Sequence, residues 1–306
     1  MKHRTAFVIP VLVGAAMVAH VLIPTSGTAE GAPPGPLPTS TPSAPSAPST
    51  PSTLSGPALA ATGTTTPEQA VRLALDGLGV YHGRYALAVE DLTSGRSAAY
   101  GSSAETFTSA SIVKVNILAA LLLQTQDRGD RLSSAQRQLA SDMIRVSDND
   151  AAQKLWIEIG RRQGLDAANA RLGLTPAHAG QKGAWGLTRT TARDQIALLK
   201  AVFTQESPLN AASRSYLRGL MGSVTDGQNW GVGAAGAPGA LPVLKNGWLP
   251  DGTTRLWVVN SVGIVERAGH SLLVVVLTDG QPTREAGIAL VERVAAAAVE
   301  ALVRTR

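Results

Sequence analysis

Two residues of this chain, a serine and a lysine three positions later, could form a nucleophile and its base. Ser111 and Lys114 frame the only Ser-x-x-Lys segment in the sequence. A spacing of three places both side chains on one face of a helix. Lysine, unlike arginine, can lose its proton when it is buried, and the chain has only six lysines against 21 arginines. The pair therefore predicts a serine nucleophile that needs no histidine, whereas the plain alternative is a polar helix start with a lysine reaching solvent.

The residues that follow the pair favour a largely buried helix. Apolar side chains dominate Ser111 to Leu123. Ser111 would then lie in the first turn, where free backbone N–H groups and the helix dipole stabilise a developing negative charge.

The N-terminal residues have the features of an export signal followed by a linker. A basic start at residues 2–4 precedes an apolar stretch at residues 6–23 and a small-residue pattern that ends at Ala29. We expect 1–29 to be a signal peptide, or else an uncleaved anchor, since the apolar stretch is near the lower limit of a membrane span. Residues 31–67 are uncharged and rich in Pro, Ser and Thr, which predicts an extended linker at 30–63.

Composition excludes several classes of function. The chain has no cysteine, so disulfides, cysteine nucleophiles and a lipid-anchored cysteine are excluded. Its five histidines show no zinc spacing, and we expect no metal and no cofactor. The net charge of +5 is spread over single arginines, so no nucleic-acid partner is expected. The sequence predicts an extracytoplasmic monomer whose only membrane contact would be an uncleaved N-terminal segment.

The remaining residues, 64–306, are predicted to form one α+β domain. Strands are expected at Tyr85–Leu92, Leu256–Val265 and Ser271–Thr278, with Glu266 to Gly269 as the last hairpin loop. A run of helices lies between them, and a long helix is expected at Thr283–Val303. This order does not alternate strand and helix, so it favours an antiparallel sheet built from both chain ends, flanked by helices, plus an all-helical subdomain.

Two further motifs could complete a site with the first. Ser147-Asp148-Asn149 lies between two predicted helices, and Lys245-Asn246-Gly247 precedes a C-terminal strand. Alone, the first is a common helix cap or turn and the second an ordinary strand edge.

Taken together, Ser-x-x-Lys, Ser-Asp-Asn and Lys-x-Gly resemble the penicillin-recognising serine enzymes. The resemblance spans roughly Thr66 to Arg306 and is strongest to class A β-lactamase-like domains, in particular to secreted actinobacterial serine hydrolases. It includes Phe107–Ser111, Thr190-Thr191 and Trp257–Asn260. It implies a β-lactamase/transpeptidase-like fold.

The resemblance also implies a role for each motif residue. Four residues would be catalytic: Ser111 as nucleophile, Lys114 as general base, Ser147 as proton relay and Lys245 as electrostatic guide for a substrate carboxylate. Three would bind substrate: Asn149, Asn246 and Gly247. Two backbone N–H groups would form the oxyanion hole: those of Ser111 and Trp248.

Two departures from the family pattern bear on activity. Asn246 stands where the family has Thr or Ser, whose hydroxyl meets the substrate carboxylate. The family's loop glutamate, which positions the water for deacylation, has no counterpart, because no Glu occurs between Glu158 and Glu206. The corresponding loop, Leu174 to Leu187, offers His178, Gln181 and Lys182 instead, of which His178 or Gln181 could position a water.

The sequence therefore predicts a serine hydrolase that forms an acyl-enzyme on Ser111 and releases it slowly. Its substrate would be a β-lactam or a peptidoglycan-like acyl donor. One alternative is a D,D-peptidase or esterase with the same nucleophile. The other is a cell-wall or ligand-binding module that has kept the fold without turnover.

Overall fold

The chain folds around an antiparallel sheet whose strands come from both ends of the described sequence. The computed structural model describes residues 65–101, 104–175 and 184–305. From one edge to the other, the strands are β2 (Ser97–Tyr100), β1 (Arg84–Asp91), β7 (His270–Asp279), β6 (Trp257–Arg267) and β5 (Val243–Pro250). Every neighbouring pair is antiparallel. The predicted α+β class is confirmed.

Helices cover the sheet and build a separate subdomain. In the described ranges they are α1 (Pro67–Asp76), α2 (Val113–Asp127), α3 (Ser134–Arg145), α4 (Asn149–Glu158), α5 (Arg161–Arg171), α6 (Ala192–Phe203), α7 (Ala211–Met221) and α8 (Arg284–Arg304). Helix α8 packs on one face of the sheet with α1 beside it, and α6 packs on the other face. Helices α3, α4, α5 and α7 surround α2, which confirms the helical subdomain.

Strand β7 divides the apolar core into two clusters. Its side chains alternate between the two faces of the sheet. Leu273, Val275 and Leu277 join the cluster that contains α2, whereas Leu272, Val274 and Val276 join the cluster that contains α8. Both faces are buried, which explains why the strand is apolar throughout instead of alternating.

The predicted buried helix exists, but it begins later than expected. Helix α2 starts at Val113, and Ser111 lies in the preceding 3₁₀ turn, Ala110–Ile112. The chain enters this turn through Ala110, whose φ of 49° is left-handed, so no regular helix extends upstream of Ser111. The nucleophile candidate therefore sits on a sharp turn at the entrance to α2.

The C-terminal hairpin is tighter than the sequence predicted. Strands β6 and β7 pair as far as Arg267 and His270, so the loop predicted over Glu266 to Gly269 is wrong. Only Ala268 and Gly269 form the turn, with φ values of 50° and 82°, as a two-residue type I′ turn requires. The last helix begins at Arg284, one residue later than predicted, because the Thr283 hydroxyl accepts from the Ala286 N–H as its N-cap.

A short two-stranded sheet, which the sequence did not predict, lies next to Ser111. Strand β3 (Phe107–Thr108) pairs with β4 (Arg189–Thr190). It joins the segment that enters the Ser111 turn to the segment that enters α6.

The predicted signal at 1–29 and linker at 30–63 lie outside the described residues, and these boundaries stay predictions. Within the described part of the chain, no helix is long and apolar enough to cross a membrane.

Candidate active site

Strand β5 packs directly against the turn that carries Ser111. A Cβ atom on Gly247 would lie 2.6 Å from the Ser111 backbone nitrogen and 2.7 Å from that of Ile112. No side chain fits in that space, so only glycine allows the strand and the turn to meet. This contact brings the backbone of Gly247 and Trp248 to the half-buried Ser111.

Lys114 is buried one turn after Ser111 and is held by polar groups of the next motif. Its Nζ donates to the Ser147 carbonyl oxygen at 2.6 Å, to Ser147 Oγ at 3.2 Å and to Asn149 Oδ1 at 2.8 Å. The Trp185 ring covers the ammonium group, with its centroid 4.9 Å from Nζ. Burial lowers the pKa of Lys114 to about 7, although the Asp148 carboxylate opposes the shift. A useful fraction of this amine is therefore neutral near pH 7.

Ser147 occupies a strained turn between α3 and α4. Its φ of 60° is left-handed, which is rare for a residue other than glycine. The next residue, Asp148, caps α4 by accepting from the Ala151 N–H at 2.7 Å. The turn holds the Ser147 hydroxyl over the buried end of Lys114, and Asn149 begins α4 on the exposed side.

Lys245 reaches the same hydroxyl from the sheet. Its side chain is buried, and Nζ donates to Ser147 Oγ at 3.0 Å and to the Asn246 carbonyl oxygen at 2.7 Å. Burial, with the nearby charge of Lys114, holds the pKa of Lys245 well below its usual range. Ser147 Oγ thus lies between two buried amines, and among the described residues neither amine forms a salt bridge with a carboxylate.

This arrangement suits acyl transfer. A hydroxyl on a sharp turn, a lysine that can be neutral, a second hydroxyl between two amines and a backbone cradle of N–H groups are the parts of an activated serine site. The sequence pattern of the Beta-lactamase enzyme family matches residues 123–302, which include Ser147 and Lys245.

The chain belongs to the β-lactamase enzyme family.

Solved structures agree with this β-lactamase family fold. A class A β-lactamase from Bacteroides cellulosilyticus has 16% sequence identity and a TM-score of 0.67, over 78% of this chain and 98% of that one. PBP-A has 20% identity and a TM-score of 0.65, over 78% and 96%. A PBP-A mutant solved as an acyl-enzyme complex with penicillin G has 20% identity and a TM-score of 0.63, over the same shares. No curated protein sequence matches the chain.

The structure brings the three motifs of this β-lactamase family member together. The side chain of Asn246 is the exception, because it faces another segment. Asn246 is buried, and its Nδ2 donates to the carbonyl oxygens of Gln228 at 2.9 Å and Trp230 at 2.8 Å. Asn246 was predicted to bind substrate, and in this structure both of its amide hydrogens are donated to main-chain carbonyl oxygens. Asn246 instead fastens the segment around Gln228 to strand β5.

The segment predicted to correspond to the family's glutamate loop, Leu174 to Leu187, is described only at its ends. His178, Gln181 and Lys182 lie outside the described residues. Asp194 is buried below the start of the loop, where its carboxylate accepts from the Thr175 N–H at 3.0 Å and the Thr175 hydroxyl at 2.6 Å. In the described parts of the chain, no group of three or more His, Cys, Asp or Glu could hold a metal ion.

Two residues near Ser111 were assigned no role from the sequence, although Asn260 ends one of the segments that resemble the family. Arg189 donates to both Thr106 and Thr108, just before the turn. Asn260 donates to the carbonyl oxygens of Thr108 and Ser109. Each contact joins residues at least 80 positions apart, so no local spacing reveals it.

Proposed function

We propose that this β-lactamase family member is an exported serine hydrolase that opens a β-lactam, or a related amide or ester, through an acyl-enzyme on Ser111. The observation that carries the proposal is the meeting of two buried amines, Lys114 and Lys245, on the hydroxyl of Ser147. Export is supported by the predicted signal at residues 1–29.

Acylation requires a proton to leave Ser111 and to reach the departing group. Neutral Lys114 accepts the Ser111 proton as Oγ attacks the carbonyl carbon and forms a tetrahedral intermediate. When the C–N bond breaks, the Ser147 hydroxyl gives its proton to the leaving nitrogen. Lys114 Nζ lies 3.2 Å from Ser147 Oγ and replaces that proton, so the base is neutral again at the end of the step.

Charge in the intermediate falls on the former carbonyl oxygen. The backbone N–H groups of Ser111 and Trp248 are the proposed donors to this oxygen, since Gly247 lets β5 approach the turn. Lys245, buried behind Ser147, favours an anionic group in the cleft, and Asn149 stands at the exposed edge to meet a substrate amide.

Deacylation is the step that this chain is proposed to perform slowly. The family's glutamate has no counterpart between Glu158 and Glu206. Loss of a positioned general base lowers a rate by about 10²–10⁴-fold. The acyl-enzyme should therefore accumulate. PBP-A, whose mutant is seen as an acyl-enzyme with penicillin G, offers a parallel on a similar fold.

A second candidate is a D,D-peptidase or esterase with the same nucleophile. The burial of the Asn246 side chain favours the esterase form, whose acyl donor needs no carboxylate, because the free carboxylate of a penicillin or of a D,D-peptide end would lose one contact. The acyl donor would differ, but the first covalent step would be the same.

Intact-protein mass spectrometry of the full chain with penicillin G, and separately with a chromogenic cephalosporin, tests the proposal. We expect a persistent adduct on the wild type and none on Ser111→Ala. Hydroxylamine, a nucleophile that needs no general base, should release the adduct faster than water does.

Other outcomes would change the assignment. Rapid turnover without an adduct would mean that a residue of the 174–187 loop replaces the glutamate. An adduct that survives in Ser111→Ala would refute the nucleophile. Neither adduct nor turnover would move the substrate away from β-lactams, towards a peptide or ester donor or a binding module.

A further inference from the structure

The turn before Ser111 needs an anchor. Ala110 has a φ of 49° although it carries a Cβ. Conformations of this kind persist only where the surroundings hold them in place. One hold is the hydrogen bond from the Ser109 N–H to the Thr188 carbonyl oxygen at 2.8 Å. A second restraint on the turn comes from the five-stranded sheet.

Asn260 provides this second restraint from the middle of strand β6. Its side chain is fully buried, and Nδ2 donates to the carbonyl oxygens of Thr108 at 2.8 Å and Ser109 at 3.1 Å. Its Oδ1 accepts from the Thr278 N–H at 3.0 Å. A backbone N–H can only donate, so Thr278 fixes which end of the amide is oxygen and directs both amide hydrogens to the turn.

The same residue is also in register with the strand that faces the nucleophile. Asn260 pairs with Gly247 between β6 and β5, and Gly247 packs on the Ser111 nitrogen. One side chain therefore ties the two carbonyls before Ala110 to the part of the sheet that carries Trp248. The proposed oxyanion donors come from these two pieces of backbone, and their separation depends on this tie.

We propose that Asn260 is a positioning residue for the acylation step: it holds the left-handed turn at Ala110 so that the Ser111 N–H and Oγ keep their place against strand β5. Asn260 is not a catalytic residue, because it is buried behind the turn. The expected effect on the acylation rate rests on the proposed function. The role of Asn260 in holding the turn rests on its hydrogen bonds alone.

Asn260→Asp is the sharpest test, because it keeps the size of the side chain and the acceptor for Thr278 but cannot donate to two carbonyls when ionised. A displacement of about 1 Å at a reacting group can cost about 10²-fold in rate. We expect the acylation rate constant to fall by about that factor, with the dissociation constant of the preceding non-covalent complex unchanged. Stopped-flow kinetics with a chromogenic cephalosporin separates the two constants.

Asn169→Asp is the matched control. Asn169 is also buried, and its Oδ1 accepts from Asn116 Nδ2 at 3.2 Å, a bond that an aspartate keeps. Both variants bury a carboxylate, but Asn260 hydrogen-bonds to the Ser111 turn, whereas the hydrogen bond of Asn169 is to Asn116 on α2. We expect Asn169→Asp to acylate at the wild-type rate when both are compared at equal folded fraction. Asn260→Ser, whose hydroxyl is one bond too short to reach either carbonyl oxygen, should also slow acylation, and it replaces Asn260→Asp if that variant does not fold.

The outcomes separate this inference from the proposed function. If the wild type is not acylated, the proposed function fails, and a crystal structure of the position-260 variant decides the positioning role on its own. Ala110 leaving the left-handed region in that structure supports the inference. An unmoved turn from Thr108 to Ser111, or wild-type acylation by folded variants at position 260, overturns it.

Discussion

At the scale of single residues, the site is defined by an excess of basic groups, since two buried lysine amines meet at one serine hydroxyl. Lys114 and Lys245 both direct their amines at Ser147, and Asp148 is the carboxylate whose charge acts on Lys114. Water would stabilise both charges, but burial removes it. The neutral amine that acylation needs is therefore produced by the fold itself.

The pKa of Lys114 gives a prediction for the pH profile of acylation. Since that pKa is lowered to about 7, the neutral base is scarce at pH 5.5 and abundant at pH 8.5. The acylation rate should rise through pH 7 and then level. Lys114→Arg should lose about 10²–10⁴-fold, because arginine stays protonated. Stopped-flow acylation against pH is the measurement.

Lys200→Arg is the control for this change. Lys200 is exposed and pairs with Glu90 at 2.8 Å, so its replacement should leave the profile unaltered. A flat wild-type profile from pH 5.5 to 8.5 would refute Lys114 as the base.

At the scale of elements, the site depends on how closely strand β5 approaches the turn before α2. Gly247→Ala would place a Cβ 2.6 Å from the Ser111 nitrogen, so the strand and the turn must separate. We expect acylation to fall by at least ~10²-fold and the free energy of unfolding to fall by about 1–3 kcal/mol. Acylation kinetics and urea unfolding measure the two effects.

Gly252→Ala is the comparison, because a Cβ at Gly252 meets no atom within 4 Å. It should acylate normally. Equal rates for both alanine variants would contradict the proposed contact between β5 and the nucleophile.

A second group of side-chain hydrogen bonds joins two hairpins, at the end of strand β1 and the start of strand β7. The fully buried Asp91 carboxylate accepts from the Thr93 N–H at 2.9 Å and from the Ser94 hydroxyl, and its Oδ2 lies 2.8 Å from His270 Nδ1. Burial alone would raise the pKa of Asp91, but these hydrogen bonds outweigh burial and hold it below its ordinary value.

This group of hydrogen bonds gives a prediction for stability against pH. A lowered carboxyl pKa adds stability that is complete above the unfolded-state value of about 3.9 and is lost as the pH falls through the folded-state value. Asp91→Asn should therefore lower the free energy of unfolding by about 1–3 kcal/mol at pH 7, and the difference from the wild type should shrink below pH 4. Urea unfolding at pH 7 and pH 3 measures it.

Asp226→Asn is the control, because Asp226 is exposed. It should change the free energy of unfolding by less than about 0.5 kcal/mol at either pH. A difference at Asp91 that stays constant down to pH 3 would contradict the assigned protonation state.

At the scale of the whole molecule, a feature could be predicted from the sequence when the residues that determine it are close together along the chain. The α+β order and Ser-x-x-Lys were readable because strand and helix patterns and a three-residue spacing are local. The left-handed turn at Ala110 was not, because Asn260 and Gly247 impose it from about 140 positions away. The contacts of the Asn246 side chain could not be predicted for the same reason, since its partners are carbonyl oxygens of another segment.

The paired amines also make the cleft a proton acceptor. With both pKa values depressed in the folded protein, the empty site holds fewer protons than two lysines hold in water. An anion that enters the cleft compensates the charge and raises both pKa values, so the protein takes up protons from the buffer as it binds. Binding of any anionic ligand is then thermodynamically coupled to pH, and a more acidic medium tightens the complex while slowing the chemistry that follows.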